Sequence, residues 1–129
     1  METIFYKKIP VGIKITTIQK GSVPITAGKE PLQMVTLKHP KGVYLKAHAH
    51  EAKKRTTTKL QECLIVKSGT ARIDLYAPVA KKYKKFKTVT LTQGQIFILM
   101  NGGYGIHITK NAELIEVKNG PFIEDKVLI

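Results

Sequence analysis

A chain of 129 residues, 43% hydrophobic and without any apolar run of membrane-spanning length, excludes a transmembrane helix and wholesale disorder. It predicts one domain, residues 1–129, large enough to bury its own core. The net charge of +13 comes from 22 basic residues of which only Arg55 and Arg72 are arginines, and the planar arginine fork is what specific phosphate and base recognition favours. The lysine excess therefore points to solubility and at most non-specific polyanion contact, with no specific nucleic acid as partner, and the lack of a span-length apolar run argues for no membrane. The single Cys63 excludes an internal disulfide, and Met1 to Lys20 holds no apolar secretion core, so the expectation is a soluble protein of the reducing cytoplasm.

Residues 3–9 and 12–19 read as strands broken at Pro10. Gly21 to Lys29 is a loop or irregular edge, Leu32 to Lys38 a further β-rich run, and His39-Pro40-Lys41-Gly42 a turn, which makes His39 a turn residue rather than a ligand. Val43 to His50 alternates as a strand. Glu51 to Lys54 could form a helical turn, but nothing sustains it. Thr56-Thr57-Thr58 opens a long strand that runs through Leu60 to Val66 and turns at Ser68-Gly69, with Thr70 to Tyr76 returning as its hairpin partner. Lys81 to Lys87 is a basic connection with interleaved Tyr83 and Phe86. That pattern suits either a single-strand nucleic-acid binder or a lysine-guarded edge, and the second is favoured. Thr88 to Thr92 is a strand, Gln93-Gly94 a turn, and Gln95 to Met100 an apolar run buried on both faces. Asn101-Gly102-Gly103 leads into Tyr104 to Thr109, Lys110-Asn111 breaks it, and Ala112 to Lys118 is the last strand. Phe122 to Ile129 adds an edge strand or a partner contact. No segment keeps a helical apolar period, and about nine to eleven short strands with regular turns imply an all-β sandwich or barrel.

The stretch that carries chemistry is Gly42 to His50. As a strand it sends Tyr44, Lys46, His48 and His50 to one face, with the two imidazoles roughly 6–7 Å apart at Cα and able to converge on one ion. His48 and His50 are half of the four histidines in the chain. Glu62 shares a face with Leu64 and Val66, Cys63 points the other way as a buried thiol, and Arg72, Asp74 and Tyr76 share the outer face of the next strand.

Gly42, His48, His50, Glu62 and Gly69, followed by Gly94, Gly102, His107 and Asn111, resemble the two motifs of the cupin superfamily. The first motif covers 42–69 and the second 94–111. The gap between His50 and Glu62 is longer than in that pattern, Met100 stands where it has proline, and two extra residues precede His107. The resemblance implies a jelly-roll β-barrel, a homodimer, and a metal site of His48, His50, Glu62 and His107. Such a ligand set suits a divalent transition metal (iron, manganese, nickel or zinc, with copper also compatible) acting as a Lewis acid on a small polar metabolite such as a sugar or acid. Tyr44 and Lys46 are then candidate catalytic or pocket residues, Glu116 a partner for an imidazole, and Lys53, Lys54 and Arg55 part of an inserted loop over the pocket. Two other readings stand beside it. One is a metal-free sugar-nucleotide ketoisomerase in which His48 and His50 are acid/base groups. The other is a non-catalytic binding protein that meets polyanions through Lys81 to Lys87.

Overall fold

The computed structural model describes residues 1–129 and contains eight strands and no helix. None therefore is long and apolar enough to cross a membrane. The strands are β1 (Glu2–Tyr6), β2 (Ile9–Ile15), β3 (Gly21–Pro24), β4 (Val35–Lys38), β5 (Glu62–Val79), β6 (Lys82–Thr92), β7 (Ile96–Leu99) and β8 (Gly103–Lys118). β3 and β4 form a separate hairpin, and the other six make one antiparallel sheet.

β5 is the spine of that sheet. β8 pairs along one of its edges from Glu62 to Tyr76. Along the other edge β7 pairs with residues 62–65 and β6 with residues 70–79, so β7 and β6 lie end to end on it. The Gln93-Gly94 turn between them docks on β5, where Gly94 N donates to Val66 O at 2.7 Å and Val66 N to Gln95 O at 3.0 Å. β2 then pairs with β7, and β1 with β2.

The β5–β8 ribbon does not run straight. Its register shifts three times between Val66 and Ala71, and Gly69 takes a φ of +80° there, a conformation that favours glycine. Glu62 and Leu75, the cross-strand partner of Tyr104, stand thirteen residues apart, about 43 Å along a straight strand. Yet the Tyr104 hydroxyl hydrogen-bonds to Glu62. The ribbon therefore folds back on itself, and the sheet is a strongly curled half-barrel. Side-chain contacts bring β1 and β2 over β6 to extend the curl: Tyr6 meets Phe86 edge-on at 5.2 Å, and Lys14 Nζ donates to Thr90 O at 2.8 Å.

Alternation along β5 sorts the core into two faces. Leu64, Val66, Ala71, Ile73, Leu75 and Ala77 line the concave side with Phe97, Leu91, Val11 and Ile4. Cys63 points to the opposite side with Ile13, Ile15, Ile96, Ile98 and Met100, under Ile25, Leu32 and Met34. Burial lifts the Cys63 thiol to about 11, so it is a packing group. A polar knot pins that cover. Buried Gln61 donates to Glu30 at 2.6 Å and to Met100 O at 3.2 Å, Lys59 reaches Glu30 at 3.0 Å, and the Asn119 side chain accepts from Gln61 N at 2.8 Å.

Several expected boundaries are corrected. Pro10 lies inside β2 rather than between strands. The turn is at Lys7-Lys8, where Lys7 has a φ of +53°, and Pro10 sits at a bulge that leaves Val11 O to accept from Met100 N at 2.8 Å. Ser68-Gly69 is a corner within one strand, not a hairpin turn, and Lys110-Asn111 is the matching corner of β8. Thr56 to Thr58 precede β5 without joining it, and Phe122 to Ile129 forms no strand. The largest difference is Val43 to His50, which is no strand at all. Every residue from Leu37 to Thr58 is exposed, and from His39 onward this stretch has no sheet partner. Together with the tail it helps raise the accessible surface to 9483 Å², against about 6,800 Å² for a compact chain of this mass.

Candidate functional site

Two clusters of polar side chains occupy opposite faces of the β5–β8 ribbon. The concave one lies where the curl brings the ribbon ends together. Glu62 pairs across strands with Lys118, and Leu64 with Glu116, so Glu62, Glu116 and Lys118 share the face of Leu64. Tyr104 arrives from the other end of β8, packed against the concave core. Its hydroxyl lies between the two carboxylates, donating to Glu62 and standing 3.1 Å from Glu116 Oε2. One phenol proton cannot serve both acceptors, and Lys118 supplies the missing positive charge at 3.0 Å from Glu116 and 3.7 Å from Glu62.

Burial first, then the hydrogen bond and charge of Glu62 and the charge of Glu116, push the Tyr104 phenol far above its ordinary range. The Glu116 carboxylate raises Lys118 in turn, with Glu62 adding to it. The phenol is thus fixed as a neutral donor, the ammonium stays charged, and the carboxylates keep lone pairs facing open space. That space is a cavity of about 740 Å³ between the ribbon and the tail from Phe122 to Ile129, walled also by Tyr76, Tyr83 and Leu99. The Ile129 side chain packs over Gly103.

The convex cluster centres on Asp74, whose side chain is only 6% exposed. Thr88 Oγ1 donates to it at 2.9 Å, Lys85 Nζ lies at 3.1 Å, His107 Nε2 at 2.8 Å and Arg72 Nε at 3.9 Å. A carboxylate only accepts, so Nε2 of His107 carries the proton of that bond. The hydrogen bonds of Lys85 and Thr88, opposed by burial and then joined by that of His107, lower the Asp74 carboxyl from 3.8 to about 2. A folded value below the unfolded one adds stability that is fully present above about pH 4 and lost as the pH falls through about 2. The Asp74→Asn variant is accordingly expected to show a shallower acid limb than the wild type between pH 4 and 2 in urea unfolding followed across pH. Superimposable limbs would mean that the carboxylate has no such partners in solution.

The four residues implied as metal ligands do not come together. His48 and His50 lie in the exposed segment with their rings edge-to-face at 5.2 Å, and His48 Nδ1 bonds to Lys46 O at 3.0 Å. Glu62 is on the concave face and His107, three residues from Tyr104 and hence of opposite parity, on the convex one. No three His, Cys, Asp or Glu side chains form a group that could hold an ion. The residues as placed do not fit the implied metal, because the Val43–His50 strand that would carry two of them has no partner.

Tyr44 is 75% exposed and, with Lys46, lines neither cluster, and Lys53, Lys54 and Arg55 stay in solvent. His39 is exposed beside Ser22 at 3.0 Å. Lys82, Lys84, Lys85 and Lys87 lie exposed on β6, while Phe86 packs against the core, so the interleaved aromatics do not form a free stacking platform. Glu116 does belong to a site, as a partner of Tyr104 and Lys118 rather than of an imidazole. Sequence reasoning missed Tyr104 and Lys118 altogether. The available signal was their parity with Glu62 across β8, which needs the register to be read. Comparison of the chain with protein-family models, curated proteins and solved structures finds no match.

Proposed function

We propose that this protein binds a small, hydroxyl-rich metabolite of the sugar class in the cavity between the curled β5–β8 ribbon and the C-terminal tail. The observation that carries the reading is the convergence of Glu62, Glu116, Tyr104 and Lys118 on one cavity of about 740 Å³ with a mixed polar and apolar lining. Ligand cavities for small molecules commonly measure about 300–1,000 Å³ and combine apolar walls with a few fixed polar groups. The two carboxylates accept from ligand hydroxyls, Lys118 donates, and Tyr76 and Tyr83 add aromatic side chains to the lining.

Tyr104, its phenol pushed up by burial and by Glu62, serves this site as a fixed hydrogen-bond donor. The reading keeps from the cupin resemblance a jelly-roll fold and a small polar ligand inside the barrel. It leaves out the metal, since His48, His50 and His107 stand away from Glu62.

Calorimetric titration with a panel of neutral monosaccharides and sugar acids tests it. At least one is expected to bind with saturation, and Glu62→Gln is expected to weaken that ligand about tenfold or more, the usual weight of a hydrogen bond to a charged group. A panel without a binder, or a binder indifferent to both Glu62→Gln and Glu116→Gln, would sink the proposal.

A further inference from the structure

We infer that the convex face of β5, β6 and β8 carries an oxyanion-binding site, formed by Arg72, Lys85 and His107 around Asp74 and suited to a phosphate group. It lies on the side of the sheet away from the concave cavity and does not depend on what that cavity holds.

Three groups that carry or can carry positive charge contact one carboxylate, and none of them contacts any other acidic side chain. With His107 neutral the cluster has a surplus of one positive charge, and with His107 protonated a surplus of two. The donors are also in excess. A guanidinium has five N–H groups, an ammonium three, and a protonated imidazole a second beyond the one already used. Asp74 engages one from Lys85, one from His107 and the hydroxyl of Thr88. Arg72, at 3.9 Å, is too far for a hydrogen bond, so none of its N–H groups is used by Asp74.

The spare donors face outward. The side chains of Lys85 and His107 are each 51% exposed and that of Arg72 is 46% exposed, while the carboxylate beneath them is covered. Asp74 thus works as a buried anchor that orients three cations. Beside it the surface is open, because its cross-strand neighbour on β8 is Gly105, where an added methyl group would meet nothing within 4 Å. Thr90, directly opposite Arg72 on β6, adds a hydroxyl on the same face. The best match to several N–H donors around an open notch is a compact oxyanion with acceptors on each side, and the fork of Arg72 suits phosphate in particular. The net charge of +13 steers such a ligand inward.

The test is a titration of the intact chain with inorganic phosphate at constant ionic strength, balanced with chloride, and read by the ring resonances of the four histidines. Saturable movement of His107, with His39, His48 and His50 unmoved, is the expected result. Arg72→Gln and Lys85→Gln are each expected to weaken binding about tenfold or more, with Lys81→Gln as a control that leaves it within twofold. No saturation, four rings drifting together, or a loss in Lys81→Gln equal to that in Arg72→Gln would overturn the site. Because the chloride comparison is made on the wild type, the result does not hang on any variant folding. Competition separates the sources of the phosphate. A sugar phosphate that displaces inorganic phosphate when a single-stranded oligonucleotide does not assigns a phosphorylated metabolite. Displacement by the oligonucleotide assigns a phosphodiester backbone, and displacement by neither assigns the free ion.

Discussion

Gly69→Ala is expected to destabilise the protein by roughly 3 kcal/mol or more, enough to consume much of the stability of a chain this size. Two costs combine. The φ of +80° is unfavourable for any residue with a Cβ, by about 1–2 kcal/mol. The added methyl also drives into the Asn111 carbonyl oxygen and the Ala112 backbone of β8, and neither can yield without opening the ladder at the corner. Gly94→Ala provides the control. Its φ of +81° is nearly the same, yet nothing lies within 4 Å of the new methyl, so only the conformational cost of about 1–2 kcal/mol applies. Chemical unfolding of the two variants reads the difference. Equal losses would show that β5 and β8 do not approach closely at the bend. Because the bend brings Tyr104 to Glu62, a folded Gly69→Ala population is also expected to lose the concave site.

Phe97→Ala comes next, with an expected loss of about 3–5 kcal/mol. Phe97 is completely buried on β7, between β2 and β5, and its ring fills the space above Gly12. A methyl on Gly12 would collide with that ring. The two positions are therefore coupled, and Gly12→Ala should cost about 1 kcal/mol less in a Phe97→Leu background than in the wild type. Strict additivity in the double-mutant cycle would mean that the ring does not occupy that space.

The parts of the fold legible in the sequence were those with a local signature. Ile73, Leu75 and Ala77 alternate with polar residues as a one-faced strand must, and Ile96 to Leu99 is apolar without alternation because both its faces are covered. Parity puts Glu62 on the face of Leu64 and Val66, and that is where it lies. Val43 to His50 shows the limit of such reasoning. Its two-residue period is as regular as that of any strand here, but a period says which way side chains would point and nothing about whether a neighbouring edge exists. Ser68-Gly69 has the composition of a turn, and a strand corner calls for the same residues. What separates the two is whether Thr70 to Tyr76 pairs back on the residues before the bend or onward with Gly103 to Lys110 of β8. The polar clusters were hidden for the same reason. Arg72 and Asp74 were legible as neighbours on one face, whereas Lys85, Thr88 and His107 join them only through the registers of β6 and β8.

The exposed stretch between β4 and β5 divides the chain in an unexpected way. Everything before it, β1 to β4, meets everything after it through the β2–β7 ladder, both cores, the Tyr6–Phe86 and Lys14–Thr90 contacts and the Glu30–Gln61 knot. Residues 39–58 add a covalent tether to these contacts and little else. Loop-closure entropy rises only slowly with length, by about 0.6 kcal/mol per doubling. Residues 39–58 are thus a connection between two parts of the sheet that already hold each other, and lengthening this stretch is expected to cost little stability.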